Sequence, residues 1–230
     1  MSDRYFAETR IASNRALLVG AEAHHLLHVM RGKVGTRVTL FDGSGWQFDA
    51  VVERTGRSEV ELAIMNRQEI DREAQIAVTL GVALPKGDRQ KWLVEKVVEL
   101  GVSRLIPLET ERGVAQPVEN ALERLRRSVI ESCKQCGRNR LMVISEPKPW
   151  REFLDESQDV AHRLVAHPGR GPLTLPLQGN TATLAVGPEG GFTEEEAAMA
   201  EARRWQLIDL GPRILRVETA AVALAGRVIG

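Results

Sequence analysis

Two stretches of the chain combine residue types and spacings that can do chemistry. In LAVGPEGGFTEEE (184–196) an apolar run stops at Gly187-Pro188, passes Glu189, Gly190 and Gly191, and enters a segment opened by Thr193 and three glutamates. Strand, glycine-rich turn and helix is how many nucleotide sites are built. In LGPRILRVETAAVALAGRVIG (210–230) Gly211-Pro212 ends a strand-like run, and ETAAVALAGRVI has helical periodicity. The connection between them therefore carries Arg213, Arg216 and Glu218 toward the same edge. An arginine and a glutamate two residues apart beside a ligand loop can stabilise or move charge. They can equally pair with each other as a surface salt bridge.

Exclusion narrows the ligand. GPEGGFTEEE lacks the Lys-Ser/Thr pair of a phosphate-cradling loop, and its spacing is not G-x-G-x-x-G, so a nucleotide triphosphatase is disfavoured. Thr193 with Glu196 fits a capping box, which occupies the free amides of the helix start. Those amides are then closed to a phosphate, and the neighbouring glutamates would repel one. A ligand without phosphate and with positive charge fits better, and S-adenosylmethionine, with its sulfonium, ammonium and adenine, is such a ligand.

These loops need a scaffold that brings them together. Before residue 70 the chain offers short alternating or β-branched runs, RYFAE, RVTLFDG, WQFDAVVE and EVELAIM, separated by GKVG, DGSG and RTGR turns. That predicts a small β module over 1–70, with AHHLLHVMR (23–31) as a short helix. Over 71–230 strand alternates with helix. QIAVTLGVAL reads as a strand, DRQKWLVEKVVELG as a helix opened by Asp88 and closed by Gly101, RLIPL as a strand, and PVENALERLRRSVIESCKQCG as a longer helix with Pro117 near its start. LMVI, HRLVAH, TATLAV and WQLIDL follow as strands. Such alternation predicts an α/β domain with a mostly parallel sheet covered on both faces. Three of the strands run into Pro/Gly loops, at Pro168-Gly169, Gly187-Pro188 and Gly211-Pro212. Ligands of open parallel sheets bind outside the carboxyl ends of the strands, so three such loops predict a pocket walled by backbone.

Composition excludes several classes. The 230 residues, 43% hydrophobic and 27% charged, are those of a globular protein and not a disordered one. No apolar run is long enough to span a membrane and no export leader is evident, so a cytoplasmic location is expected. Formal net charge is zero, so a nucleic acid would have to meet a local basic patch. Residues 121–140 offer one: Arg124, Arg126, Arg127, Lys134, Arg138 and Arg140 face only Glu123 and Glu131. The plainer account is a solvated helix face. Cys133 and Cys136 form CKQC, but zinc would need two further ligands and no second pair is near. The motif also lies at a helix end, away from the start that activates a thiol, and reads as structural, with no metal.

GPEGGFTEEE and LGPRILRVETAAVA together resemble the paired motifs of the SPOUT methyltransferases, and specifically of the RsmE family, which methylates N3 of a uridine in 16S ribosomal RNA of the small subunit. LPKGDRQKWLVEKVVELGVSRLIPLETERGV (84–114) resembles the start of that family's methyltransferase domain, and HHLLHVMRGKVGTRVTLFDGSG (24–45) its N-terminal PUA-like barrel. Val217 stands where the family's LRTET form has threonine. The resemblance implies a PUA-like β-barrel over 1–70 that binds RNA, then a SPOUT trefoil-knot α/β domain over 71–230, assembled as a homodimer without metal or membrane. It implies that S-adenosylmethionine is held by Val165, Ala166 and His167, by Gly187, Pro188, Glu189, Gly190 and Gly191, and by Leu210, Gly211, Leu215, Arg216, Glu218 and Thr219.

Catalysis is then expected to rest on positioning N3 behind the sulfonium methyl. As N3 loses its proton, charge spreads onto the uracil oxygens, where an arginine would stabilise it. Arg216 is the first choice and Arg213 the second; Glu218 is assigned to positioning ahead of a role as base. Arg31, Lys33, Lys86, Arg112 and the helix arginines Arg124, Arg127 and Arg138 are expected at RNA phosphates. The alternatives are a SPOUT enzyme for another base or ribose, and a non-catalytic ribosome-assembly protein.

Overall fold

The computed structural model describes residues 4–113, 119–173 and 178–230. Its chain forms two compact units. The first comprises 1–72 together with 133–141, and the second 73–132 together with 142–230.

Alternating side chains build the first unit as a five-stranded sheet in the order β1-β3-β4-β5-β2: β1 (Arg4–Phe6), β2 (Arg15–Val19), β3 (Arg37–Phe41), β4 (Trp46–Thr55) and β5 (Glu59–Glu69). All neighbours are antiparallel except β1 and β3. Inward residues of these strands, among them Tyr5, Leu18, Leu40, Phe48 and Leu62, form its core. The predicted short helix is α1 (Gly20–His24), which runs on into a π-helical stretch, His25–Val29. RALLV forms β2, a strand the sequence reading did not anticipate. Its partner β5, distant in the chain, supplies the pairing that fixes it.

Residues 133–141 are part of this unit's interior. Arg4 donates from Nη2 to the Arg138 carbonyl (2.8 Å) and to Asn139 Oδ1 (2.6 Å), while Asn139 Nδ2 donates to the Ile70 carbonyl. Lys134 pairs with Glu22 at 2.8 Å, both side chains nearly buried. The Cys133 thiol is fully buried and donates to the Arg140 carbonyl. Cys133 is thus part of the packing, whereas Cys136 is only partly buried; no group of three metal-ligating side chains occurs among the described residues.

The second unit is a parallel sheet in the order β12-β10-β11-β6-β7-β8: β6 (Ala77–Val82), β7 (Arg104–Glu109), β8 (Val143–Ile144), β10 (His162–Pro172), β11 (Thr181–Val186) and β12 (Gln206–Asp209), with the short β9 (Lys148–Pro149) also against β7. The helices are α2 (Arg89–Leu100), α3 (Glu119–Cys136), α4 (Trp150–Glu156), α5 (Glu194–Ala202) and α6 (Val217–Ile229). Gly101, at φ 99°, ends α2 in the left-handed region as glycine permits. Asp88 stands at the N-cap of α2 but makes no side-chain capping bond. Pro117 lies outside the described residues. The central strands are almost wholly buried, as a sheet covered on both faces requires. Trp150, Phe153, Phe192 and Trp205 stack into an aromatic cluster beside β7 and β11. No described helix is long and apolar enough to cross a membrane.

The C-terminal path decides where the site forms. β12 is an edge strand, yet α6, which follows it, packs on the central strands β6 and β11 and on α2. The connection 210–216 must therefore travel back across the carboxyl ends of the strands. Such a return is what a chain end drawn through a knotted domain requires, an exception to the rule against threading.

Candidate active site

Three strand ends meet at one cavity of about 410 Å³. The first wall is an excursion from β10: Ala166 and Gly171 both register with Ile208 of β12, so 167–170 loop out of the ladder. The second wall is the GPEGG loop after β11, and the third is the return connection. Asp209 joins the first to the third. Its Oδ2 accepts from the Gly169 amide at 2.9 Å and its Oδ1 from the Gly211 amide at 2.8 Å. These two backbone donors hold the Asp209 carboxyl below its usual range.

The GPEGG loop is fixed from both ends. Gly187 is tightly enclosed: a Cβ there would lie 3.0 Å from the Phe192 ring and 3.1 Å from its amide nitrogen, so any larger residue would crowd Phe192. Gly191 takes φ 68°, a conformation that favours glycine. Thr193 caps α5: its Oγ1 accepts from the Glu196 amide, and Glu196 Oε2 accepts from the Thr193 amide, which completes the capping box. The same Glu196 uses Oε1 to accept from the Glu111 amide, and Arg112 donates to the Gly190 carbonyl at 2.8 Å.

Of the residues assigned to the cofactor, Ala166, His167, Gly187, Pro188, Glu189, Gly190, Gly191, Leu210, Gly211 and Leu215 line the cavity. Val165 is buried in the sheet beneath it. Arg216, Glu218 and Thr219 are not on its wall, whereas Arg213, Ile214 and Val217 are. The connection turns at Leu215, and α6 begins with Arg216 as its N-cap, which directs Glu218 elsewhere. Glu218 is buried and its partner is Arg89 at 3.6 Å, so the Arg216–Glu218 ion pair considered from sequence does not form. The side chains of Arg213 and Arg216 are exposed and have no bonded partner among the described residues.

The expected RNA contacts separate. Arg31, Lys33, Lys86, Arg124 and Arg127 are exposed. Arg112 stands on the cavity wall, engaged with Gly190. Arg138 is a correction: it is only 3% exposed, within the 133–141 segment that completes the first unit, and is withdrawn from phosphate contact. Sequence reasoning missed Arg89 and Asp209. A carboxylate between a strand and a Gly-Pro turn was a usable signal for Asp209; nothing local pointed to Arg89.

The wall carries the acidic side chains Glu189, Glu194 and Asp209 beside the basic Arg112 and Arg213, a mixed lining that suits a ligand with charges of both signs, and the volume suits a small molecule, for which pockets run about 300–1,000 Å³. Comparison with known proteins agrees. A family profile described as RNA methyltransferase domain matches residues 72–229, and one described as RNA methyltransferase PUA domain matches 18–65. Parallel sheet, returning C-terminal helix and backbone-walled cavity define an RNA methyltransferase of the SPOUT type, with a PUA-like unit before it. The chain belongs to the family of ribosomal RNA small subunit methyltransferase E. The Synechocystis sp. protein of that name is 32% identical over 230 residues, covering 95% of this chain and 74% of its own. The Bacillus subtilis one is 28% identical, covering 88% and 85%. Among solved structures, the Neisseria gonorrhoeae enzyme of that name, bound to S-adenosylmethionine, superposes with a TM-score of 0.89 at 29% identity, covering 99% and 96%. A Legionella pneumophila protein in complex with the same cofactor gives 0.92 at 29% identity, covering 99% and 96%.

Proposed function

We propose that the protein methylates N3 of a uridine in 16S ribosomal RNA of the small subunit, with S-adenosylmethionine as donor. The observation that carries the reading is the convergence of the three strand-end loops on one largely backbone-walled cavity, in a chain whose relatives are named for that ribosomal RNA. When bound, the cofactor supplies an electrophilic methyl on a sulfonium.

The residues of this chain do the rest. Backbone of the GPEGG loop and of 210–211 holds the donor, while Glu189, Glu194 and Asp209 provide negative charge near its cationic groups. The bond from sulfur to methyl breaks as the bond to N3 forms, and the N3 proton leaves to water or a base. Arg213, which lines the cavity, and Arg216, exposed at the N-terminus of α6, are the arginines we assign to the charge that develops on the uracil oxygens. Support for Arg213 is the stronger, because it lines the cavity. Glu218, turned to Arg89, acts in positioning.

Exposed Arg31, Lys33, Lys86, Arg124 and Arg127 meet RNA phosphates. The protein works in the cytoplasm as a homodimer, a reading that rests on the family resemblance. Incubation with labelled S-adenosylmethionine and small subunits from a strain lacking the protein, followed by mass spectrometry of the nucleosides, tests the proposal. Recovery of 3-methyluridine is the expected result; label in a ribose or another base would overturn the assignment.

A further inference from the structure

Arg89, the first residue of α2, reaches two carboxylates from two other elements. Its Nη2 lies 3.0 Å from Oε1 of Glu189, in the GPEGG loop, and its Nη1 lies 3.6 Å from Oε2 of Glu218, in the first turn of α6. The two ends differ in kind. Arg89 and Glu189 are 36% and 41% exposed, and a pair like that would by itself contribute little. The Glu218 side chain is 9% exposed, and its Oε2 has no hydrogen-bond partner. A buried carboxylate without a countercharge is strongly unfavourable, so Glu218 fixes where the guanidinium sits. From that anchor the planar fork of Arg89 has its second nitrogen left for Glu189, a geometry that a lysine cannot reproduce.

Glu189 lies on the cavity wall, and Arg112 takes the carbonyl of the next residue, Gly190. Two guanidiniums therefore hold two successive residues of one loop. We infer that Arg89 is a positioning residue for methyl transfer: anchored by Glu218, it holds the Glu189 edge of the GPEGG loop where the cofactor requires it. Glu218 thereby acts on the cavity without lining it. The inference rests on the reading of the cavity as the S-adenosylmethionine site.

The test measures S-adenosylmethionine affinity by calorimetry and melting temperature in parallel, for the parent, Arg89→Lys, Glu189→Gln, Glu218→Gln and the Arg89→Lys/Glu189→Gln double variant. Lysine keeps a countercharge for Glu218, so Arg89→Lys should melt near the parent, yet its dissociation constant should rise about tenfold because one ammonium cannot serve both carboxylates. Glu218→Gln should lower the melting temperature and the affinity together. The double variant should bind no more weakly than Glu189→Gln alone, since both substitutions break the same link. A parent that binds no S-adenosylmethionine overturns the cofactor reading and this inference with it. A parent that binds, with Arg89→Lys matching it in affinity or the double variant showing the sum of two independent losses, overturns the inference alone.

Discussion

Substituting alanine for Gly187 should damage the site more than the same change at Gly190, three residues on. At Gly187 the new Cβ would meet Phe192 Cδ2 at 3.0 Å, Cε2 at 3.1 Å and the Phe192 amide nitrogen at 3.1 Å. Neither obstacle yields readily. The ring is 5% exposed and stacks on Trp150 at 4.4 Å between centroids, and the indole of Trp150 donates to the Glu196 carbonyl. At Gly190 the Cβ would meet Arg112 Cδ at 3.3 Å, on an exposed and flexible side chain. Crowding a packed interior costs about 1–3 kcal/mol, and for a chain of this size each kcal/mol lowers the melting temperature by about 2–4 °C. Gly187→Ala should therefore melt roughly 2–12 °C below the parent. Gly190→Ala should stay within about 0.5 kcal/mol of it, while Gly190→Val should displace Arg112 and weaken cofactor binding. Differential scanning calorimetry and cofactor titration report both. A Gly187→Ala protein that melts with the parent, or a Gly190→Ala protein that is the less stable of the two, would refute the packing argument.

Other outcomes are as specific. Arg213→Ala and Arg216→Ala should each leave cofactor affinity nearly intact and lower single-turnover rates, on the order of a hundredfold for whichever touches the developing charge; two unaffected rates would remove both from catalysis. Because its backbone donors hold the Asp209 carboxyl below the usual range, its contribution is present above the ordinary carboxylate pKa of about 3.9 and is lost as pH falls through the lower folded value. Cofactor affinity should accordingly persist into mildly acidic solution in the parent and be weak at every pH in Asp209→Asn, as titrations across pH would reveal. Cys136→Ser should leave activity unchanged, Cys133→Ser should lower the melting temperature through its buried site, and neither should release zinc, which elemental analysis of the purified protein checks.

Where a local rule determined the outcome, the sequence was informative. Thr193 and Glu196 declared a capping box because both partners lie within one helical turn. The Pro/Gly loops declared a pocket because parallel strands end at one edge of the sheet. What escaped depends on contacts distant in the chain. β2 exists through β5, whose paired residues lie 40–48 positions away. Arg138 has the composition of a solvated helix end and is buried because Arg4 and residues 133–141 pack together. Arg89 meets Glu189 and Glu218, 100 and 129 positions later, and no periodicity records such a pair. That Arg213 lines the cavity while Arg216 does not was hidden for a similar reason: which side of a connection faces a cavity depends on where the helix after it begins.

The chain passes between its two units three times, after residues 72, 132 and 141. During synthesis this sets an order of events. When residue 72 has been made, the first unit still lacks its last nine residues, and Arg4 awaits acceptors 134 and 135 positions downstream. At about 5–20 residues per second, roughly 3–14 seconds separate the first 72 residues from the arrival of Leu141. Throughout that interval Arg4 can already donate from Nη1 to Gln47, but its Nη2 and the carbonyl of Ile70 lack the partners of the finished fold. The N-terminal unit is thus completed only after β6, α2 and β7 have been made, and a fragment cut at residue 72 would reproduce that waiting state permanently.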